Sequence, residues 1–178
     1  MKPLIKLLIL TVVLAAKSAS AAWLENGPVK VTRILDGDTI EVTIKDDYSG
    51  LYKNYRIRLN AIDAPEKSQS YGQRSRQFLA NMIGGEDVMV NSHGEDRYGR
   101  ILGDVMVRQC KPACVISSVN EAMVKAGMAW AYRYKGKAAS DKILSLEKQA
   151  RASSAGLWAD AQPVEPWRYR STHNGDDQ

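Results

Sequence analysis

Four acidic residues in two short segments of the sequence have the spacing of a metal-binding site. Asp36 and Asp38 lie within 31-VTRILDGDTIEVTIK-45, and Asp63 and Glu66 lie within IDAPE. In an extended chain, residues i and i+2 point to the same side, so the carboxylates of Asp36 and Asp38 would face one way. Converging carboxylates repel each other unless a cation or a proton lies between them, and oxygen donors favour Ca²⁺ or Mg²⁺. The alternative is two separate turns with solvated acidic side chains.

Three arginines could complete this site as a centre for phosphate chemistry. Arg58 precedes Asp63 by five residues, and Arg97 and Arg100 flank a Tyr-Gly pair. Guanidinium groups bind phosphate oxygens bidentately and stay charged at any working pH. Arginines beside a carboxylate-bound cation are what a phosphodiester hydrolase requires. The alternative role is surface salt bridging to the same acidic residues.

A third group of residues, 130-WAYRYK-135, alternates aromatic and basic side chains. Tyr132 and Tyr134 could stack on nucleobases while Arg133 and Lys135 meet phosphates. Alternatively, one tyrosine belongs to the core and the other covers a helix end. The sequence leaves both interpretations open.

The residues around these groups predict a small β barrel. Alternating apolar residues predict strands and a three-to-four residue periodicity predicts helices. The predicted strands cover 29–35, 39–45, 55–62, 87–91 and 100–107, and the predicted helices cover about 71–84, 117–127 and 140–156. This order predicts an α+β fold that is mainly a β barrel, namely a five-stranded OB-fold barrel with three helices. A flat α+β sandwich is the alternative from the pattern alone.

The first 21 residues have the three-part pattern of a secretory signal peptide. Lys2 and Lys6 precede an apolar run from Leu7 to Ala16, and small residues lead to a cleavage site near Ala21 and Ala22. The apolar run is too short to span a bilayer, and a retained membrane anchor is the alternative. Without the three lysines of this segment, 22 Lys and Arg face 20 Asp and Glu. Net charge therefore does not by itself indicate a polyanionic partner.

Two cysteines, Cys110 and Cys114, lie close together in QCKPACV. In an exported protein this pair predicts a structural disulfide that closes a small loop. The two histidines lack the spacing of zinc ligands, and a redox-active pair is normally C-x-x-C. We expect one domain over residues 22–160 and a C-terminal tail over 161–178 that frays after Trp167.

Four segments together resemble the staphylococcal (micrococcal) thermonuclease family. They are ILDGDTIEV, RLNAIDAPE, DRYGR and VNEAMVKAGMAWAYRY, in this order. The resemblance runs from about Val29 to Trp158 and implies an OB-fold barrel with three helices, which agrees with the predicted order of elements. Members of the family cleave single- and double-stranded DNA and RNA and leave 3′-phosphate ends. The resemblance thus implies a Ca²⁺-dependent endonuclease.

The resemblance also implies a ligand set for Ca²⁺. Asp38 and Asp63 would bind the ion directly, together with the main-chain carbonyl of Ala64, and Asp36 would bind it through water. Glu66 would activate or position the attacking water.

Five further residues would hold the nucleic acid. By the same resemblance, Arg58 and Arg100 would clamp the scissile phosphate. Arg97, Tyr132 and Tyr134 match positions that hold the neighbouring phosphate and sugar.

Gly37 separates the two aspartates and is predicted to make the bend between them. Gly37→Ala is expected to weaken metal binding if this glycine has a positive φ.

Two other functions compete with the nuclease hypothesis. A non-catalytic nucleic-acid-binding OB-fold module would have no use for the full set of carboxylates and arginines. A Ca²⁺-dependent adhesion module would leave the arginine pair unexplained. We expect a monomer without a stable protein partner, exported to the periplasm or the medium and not embedded in a membrane after removal of the signal peptide.

Overall fold

A closed barrel of five strands forms most of the fold, and a separate two-residue strand follows the third barrel strand in the chain. The computed structural model describes residues 27–45, 49–110 and 112–173. The first six strands are β1 (Val29–Ile34), β2 (Thr39–Lys45), β3 (Tyr52–Leu59), the two-residue β4 (Ile62–Asp63), β5 (Asp87–Glu95) and β6 (Ile101–Cys110).

The barrel closes through a single parallel pairing. The antiparallel order is β3-β2-β1-β5-β6, and β3 then pairs with β6 in parallel, Ile57 opposite Ile101 and Leu59 opposite Gly103. A sheet that returns to its own first strand has no free edge, so the flat sandwich is excluded. The OB-fold prediction is confirmed.

The barrel interior follows the alternation seen in the sequence. Ile40 and Val42 on β2 are fully buried, and Ile40 lies opposite Ile57 on β3, as expected. A helix over Gly72–Ile83, α1, covers one end of the barrel with Leu79. Each such side chain contributes about 1.5–3 kcal/mol when it leaves water.

The described residues contain four α-helices rather than the three expected. After α1 come α2 (Val119–Lys125), α3 (Asp141–Ala152), a 3₁₀ turn (Gly156–Ala159) and α4 (Pro166–His173). The predicted cap of α3 is present, since the Ser140 Oγ accepts a hydrogen bond from the Ile143 N–H at 3.3 Å. The expectation that the tail frays after Trp167 is wrong, because α4 continues to His173.

The cysteine segment forms a hairpin and not only a loop. Cys110 and Cys114 are disulfide-bonded, as predicted, and they are also paired residues of β6 and of a further strand, β7 (Cys114–Ser118). Three short strands complete the fold. They are β8 (Trp130–Ala131), which pairs with β4, and β9 (Arg133–Tyr134), which pairs with β10 (Lys137–Ala138).

The predicted signal peptide at 1–21 lies outside the described residues, as do the last five residues of the predicted tail. Over the ranges that the structure describes, no helix has both the length and the apolar character needed to cross a bilayer.

Candidate active site

The turn between β1 and β2 holds the first pair of aspartates. The Asp36 Oδ1 accepts a hydrogen bond from the Asp38 N–H at 3.0 Å, and the Leu35 N–H donates to the Thr39 carbonyl at 2.9 Å. The Asp38 carbonyl in turn accepts from the Leu59 N–H at 2.8 Å. The turn is therefore tied to the end of β3, which carries Arg58.

Gly37 serves close packing and not an unusual backbone angle. Its φ is not in the positive region, contrary to the condition set out from the sequence. A Cβ at this position would instead overlap the Ser75 Oγ and lie 2.7 Å from the Ala64 Cβ. The absence of a side chain lets the turn touch both α1 and the segment after β4.

The segment that carries the second pair of acidic residues contacts the first pair through a main-chain N–H group. Ala61 turns the chain with a φ of 60°, and β4 then places Asp63 with no exposed surface. The Asp38 Oδ2 accepts a hydrogen bond from the Ala64 N–H at 2.8 Å. This bond brings the two acidic segments together, as the sequence predicts.

Arg58 lies between the two aspartates. One terminal nitrogen of its guanidinium is 2.8 Å from the Asp38 Oδ2, and the other is 2.8 Å from the Asp63 Oδ1. The Arg58 Nη1 also donates to the Ile62 carbonyl at 3.0 Å. A planar fork with this many partners has little freedom to move.

Burial and the charges of neighbouring side chains shift the pKa values of this cluster. Burial and the neighbouring charge of Asp38 raise the pKa of Asp36 to about 7. Burial also raises the pKa of Asp63, although Arg170 and Arg58 act in the opposite direction. Burial acts to lower the pKa of Arg58, but the charges of Asp38 and Asp63 raise it above its usual value. The cluster is thus short of positive charge.

A residue that the sequence did not single out completes the cluster. Arg170, on α4, donates to the Asp63 Oδ2 at 2.7 Å, to the Asp63 Oδ1 at 3.2 Å and to the Glu66 Oε1 at 2.6 Å. The sequence did contain a signal for it: 167-WRYR-170 alternates aromatic and basic residues just as 130-WAYRYK-135 does. Glu66 itself is 38% exposed, so solvent reaches it.

The remaining predicted arginines form a separate cluster at the end of β5. The Asp96 Oδ2 accepts from the Arg100 Nε at 2.8 Å, and Arg97 donates to the Tyr98 hydroxyl at 2.7 Å. Both guanidinium groups lie against the Tyr98 ring. Although burial opposes it, hydrogen bonds from Arg100 and Tyr98 lower the pKa of Asp96. Among the described contacts, neither arginine touches Asp63.

The two predicted tyrosines lie on the surface beyond β8. Tyr132 is 37% exposed and Tyr134 is 63% exposed, so neither is a core residue. Arg133 turns inward and forms an ion pair with Glu147 at 2.9 Å, which does not favour the interpretation in which it meets phosphates. The two rings remain available for stacking.

The donor set fits a hard cation in its chemistry, because Asp36, Asp38 and Asp63 supply only oxygen and are short of counter-charge. Guanidinium groups separate these oxygens. Within the described parts of the chain, no three His, Cys, Asp or Glu side chains are grouped closely enough to hold a metal ion.

Comparisons with known proteins agree with the fold. A family model described as staphylococcal nuclease homologue matches residues 56–160. The chain is 46% identical over 162 residues to protein ParB of Escherichia coli, covering 88% of this chain and 85% of that protein. It is 43% identical over 143 residues to micrococcal nuclease of Shigella flexneri, covering 79% of each chain. It is also 43% identical over 142 residues to an uncharacterized endonuclease of Escherichia coli, covering 79% of this chain and 83% of the other. Since the family model spans more than half of it, the chain belongs to the staphylococcal nuclease family.

Proposed function

We propose that the protein is an exported, Ca²⁺-dependent endonuclease that hydrolyses phosphodiester bonds of DNA and RNA and leaves 3′-phosphate ends. The observation that carries the proposal is the Arg58 guanidinium held 2.8 Å from both Asp38 and Asp63, with Glu66 joined to Asp63 through Arg170. The similarity to micrococcal nuclease of Shigella flexneri and to an uncharacterized endonuclease of Escherichia coli supports it.

Four residues would hold the cation. Asp38, Asp63 and the carbonyl of Ala64 would bind Ca²⁺ directly, and Asp36 would bind it through water. When bound, the ion would polarise a phosphoryl oxygen and offset charge in the transition state.

The chain's own side chains would carry the rest of the reaction. Glu66, which is open to solvent, would take a proton from the attacking water or orient it. Arg58, rigidly held, would bind one phosphate oxygen, and Arg100 would leave Asp96 to bind another. Charge developing on phosphorus would then face two guanidinium groups.

The exposed residues around this centre suit nucleic acid. Tyr132 and Tyr134 offer rings for a sugar or base, and Arg97 offers a charge for the adjacent phosphate. None of these contacts reads a base edge through paired hydrogen bonds, so we expect weak sequence preference. The disulfide between Cys110 and Cys114 supports export, because such bonds persist in oxidising compartments.

The test is cleavage of a plasmid by residues 22–178 with Ca²⁺ and with EDTA. We expect cutting only with Ca²⁺, and products that prime a polymerase only after phosphatase treatment. Arg100→Gln should slow cleavage, whereas Arg108→Gln, at an exposed position of β6, should not. DNA binding without cleavage under any divalent ion would instead support the non-catalytic OB-fold module.

A further inference from the structure

Both oxygens of the Asp63 carboxylate are already bonded to guanidinium groups. Oδ2 accepts from Arg170 at 2.7 Å, and Oδ1 accepts from Arg58 at 2.8 Å and from Arg170 at 3.2 Å. A calcium ion binds a carboxylate oxygen at about 2.3–2.6 Å. An ion on either oxygen would therefore lie within about 5 Å of a guanidinium that uses the same oxygen, and the two like charges would repel.

The two arginines differ in how firmly they are held. Arg58 belongs to β3 of the closed barrel and also bonds Asp38 and the Ile62 carbonyl. Arg170 is half-buried on α4, and among the described residues its guanidinium forms hydrogen bonds and ion pairs with Asp63 and Glu66. If one guanidinium gives way to a cation, it is that of Arg170.

Helix α4 is attached to the barrel by a small number of contacts. The Trp167 ring lies edge-on to Trp130 with centroids 5.6 Å apart, and the Tyr169 hydroxyl donates to the Ser68 Oγ at 3.1 Å. Pro166 is the one buried residue of the helix. Elements with so little buried apolar surface open at low free-energy cost.

From this geometry we propose that Arg170 is a built-in competitor of the divalent cation, so that docking of α4 and cation binding at Asp63 exclude each other. The same side chain also forms an ion pair with Glu66 at 2.6 Å, so one movement would free both a metal ligand and the residue proposed to act on water. This inference rests on the proposed function, since it concerns the cation of that site.

Calorimetric titration of the protein with CaCl₂ tests the competition directly. Arg170→Gln removes the charge and should tighten Ca²⁺ binding by about tenfold or more, which corresponds to about 1.4 kcal/mol per factor of ten. Arg168→Gln is the matched control, because Arg168 lies on the same helix, is 73% exposed and pairs with Glu165. Its affinity should equal that of the wild type.

A second, independent substitution and a second measurement distinguish competition from a folding defect. Trp167→Ala weakens the docking of α4 but keeps the Arg170 charge, and it should also tighten Ca²⁺ binding. In the wild type, tryptophan emission should change during the Ca²⁺ titration with the midpoint found by calorimetry, because Trp167 leaves Trp130. Thermal unfolding in EDTA shows which variants are folded.

The outcomes separate the competition from the proposed function. Equal Ca²⁺ affinity in Arg170→Gln and Arg168→Gln, with Ca²⁺-dependent cleavage retained, would overturn the competition and leave the nuclease proposal standing. No Ca²⁺ binding by any variant, with cleavage in EDTA, would overturn both the calcium requirement and the competition.

Discussion

Two fully buried carboxylates, Asp63 and Glu147, each contact two arginine side chains. Glu147 accepts hydrogen bonds from Arg133 at 2.9 and 3.0 Å, lies 2.8 Å from Arg151, and accepts a further hydrogen bond from the Ala131 N–H at 2.6 Å. Asp63 has comparable bonds to Arg58 and Arg170, and by distance alone the two clusters look alike. They differ in the residues that surround them.

The Glu147 cluster is shielded by tryptophans and contains one acid. The Arg151 guanidinium lies 4.0 Å from the Trp158 ring centroid and 4.8 Å from that of Trp130. Aromatic faces stabilise such cations and exclude water. The partners of Glu147 are fixed, and the cluster joins α3 to β8.

The Asp63 cluster has an excess of negative charge and an opening to solvent. Four carboxylates face two guanidinium groups. Asp36, which has no ion pair with an arginine among the described residues, has a pKa raised to about 7 by burial and by Asp38. A buried ion pair is weak evidence of function by itself. The excess of carboxylates over guanidinium groups is what distinguishes a binding site from a structural bridge, since Arg170 is 37% exposed and Arg151 of the Glu147 cluster is 44% exposed.

The largest expected effect is on the cleavage rate, which should depend on the Asp63 cluster and not on the Glu147 cluster. Glu66→Gln removes the proposed base and should lower the cleavage rate by about 10²–10⁴, with little change in the free energy of unfolding. Steady-state cleavage and urea denaturation measure the two quantities. Glu121→Gln, which changes an acid paired with Lys142 on the far helices, is the control. A loss of less than tenfold in Glu66→Gln would remove Glu66 from the mechanism.

The second expected effect is on stability, which should depend strongly on the Glu147 cluster. Glu147→Gln leaves Arg133 and Arg151 without their buried charge, so the free energy of unfolding should fall by about 3–5 kcal/mol. The cleavage rate per folded molecule should stay within about twofold, since the cluster does not reach the proposed substrate. A large loss of rate in fully folded protein would show that the Glu147 cluster is functional after all.

Gly37→Ala should disturb only the Asp63 cluster. The added methyl meets Ser75 and Ala64, and the overlap should cost about 1–3 kcal/mol of unfolding free energy. Ser75→Gly removes one of the two overlaps and also the Ser75 hydrogen bond to the Met128 carbonyl, so the test is a cycle: Gly37→Ala should cost less in a Ser75→Gly background than in the wild type. Stability equal to the wild type in the single variant would mean that the turn has room to shift.

The smallest effect concerns the separate arginine cluster at Asp96. Because its folded pKa is below the ordinary 3.8, Asp96 adds stability above that pH and loses it as the pH falls through the folded pKa. Asp96→Asn should therefore lower the free energy of unfolding by no more than about 1 kcal/mol at pH 7, and the difference should shrink as the pH falls below 3.8 and vanish below the folded pKa. A difference that persists there would exclude the ionised carboxylate as its cause.

Sequence patterns predicted the barrel strands well because the alternation of buried and exposed residues within a strand is a local property of the sequence. Alternation in Ile40, Val42 and Ile57 sets which face is buried, and the acidic turn and the IDAPE segment each have their own turn residues. The meeting of Asp38 with the Ala64 N–H was expected if the first and third strands were neighbours, and from the family resemblance. Strand β2 in fact lies between β1 and β3, and the β1–β2 turn reaches the end of β3 through the bond from the Leu59 N–H to the Asp38 carbonyl. These residues needed no distant partner to be recognised.

The features that the sequence did not predict, namely α4, Arg170 and the packing role of Gly37, depend on tertiary contacts. Helix α4 has no apolar periodicity, so nothing in residues 166–173 predicts it without the surface against which Trp167 packs. Arg170 was missed for the same reason. The role of Gly37 was assigned to backbone freedom because a close approach by Ser75, on α1, cannot be read from the turn itself.

The parallel seam between β3 and β6 has a consequence for the kinetics of folding. Ile57 and Ile101 are 44 residues apart in the chain, and every other barrel pairing is antiparallel. Contacts this distant in sequence form slowly, because the loop between them must first be ordered. Arg58 lies within this seam and Arg100 immediately precedes it, so their relative position is set only when the barrel closes. During refolding, tight binding of a phosphate by both arginines should appear with the long-range pairings of the barrel, β3 with β6 and β1 with β5, and not with the early hairpins.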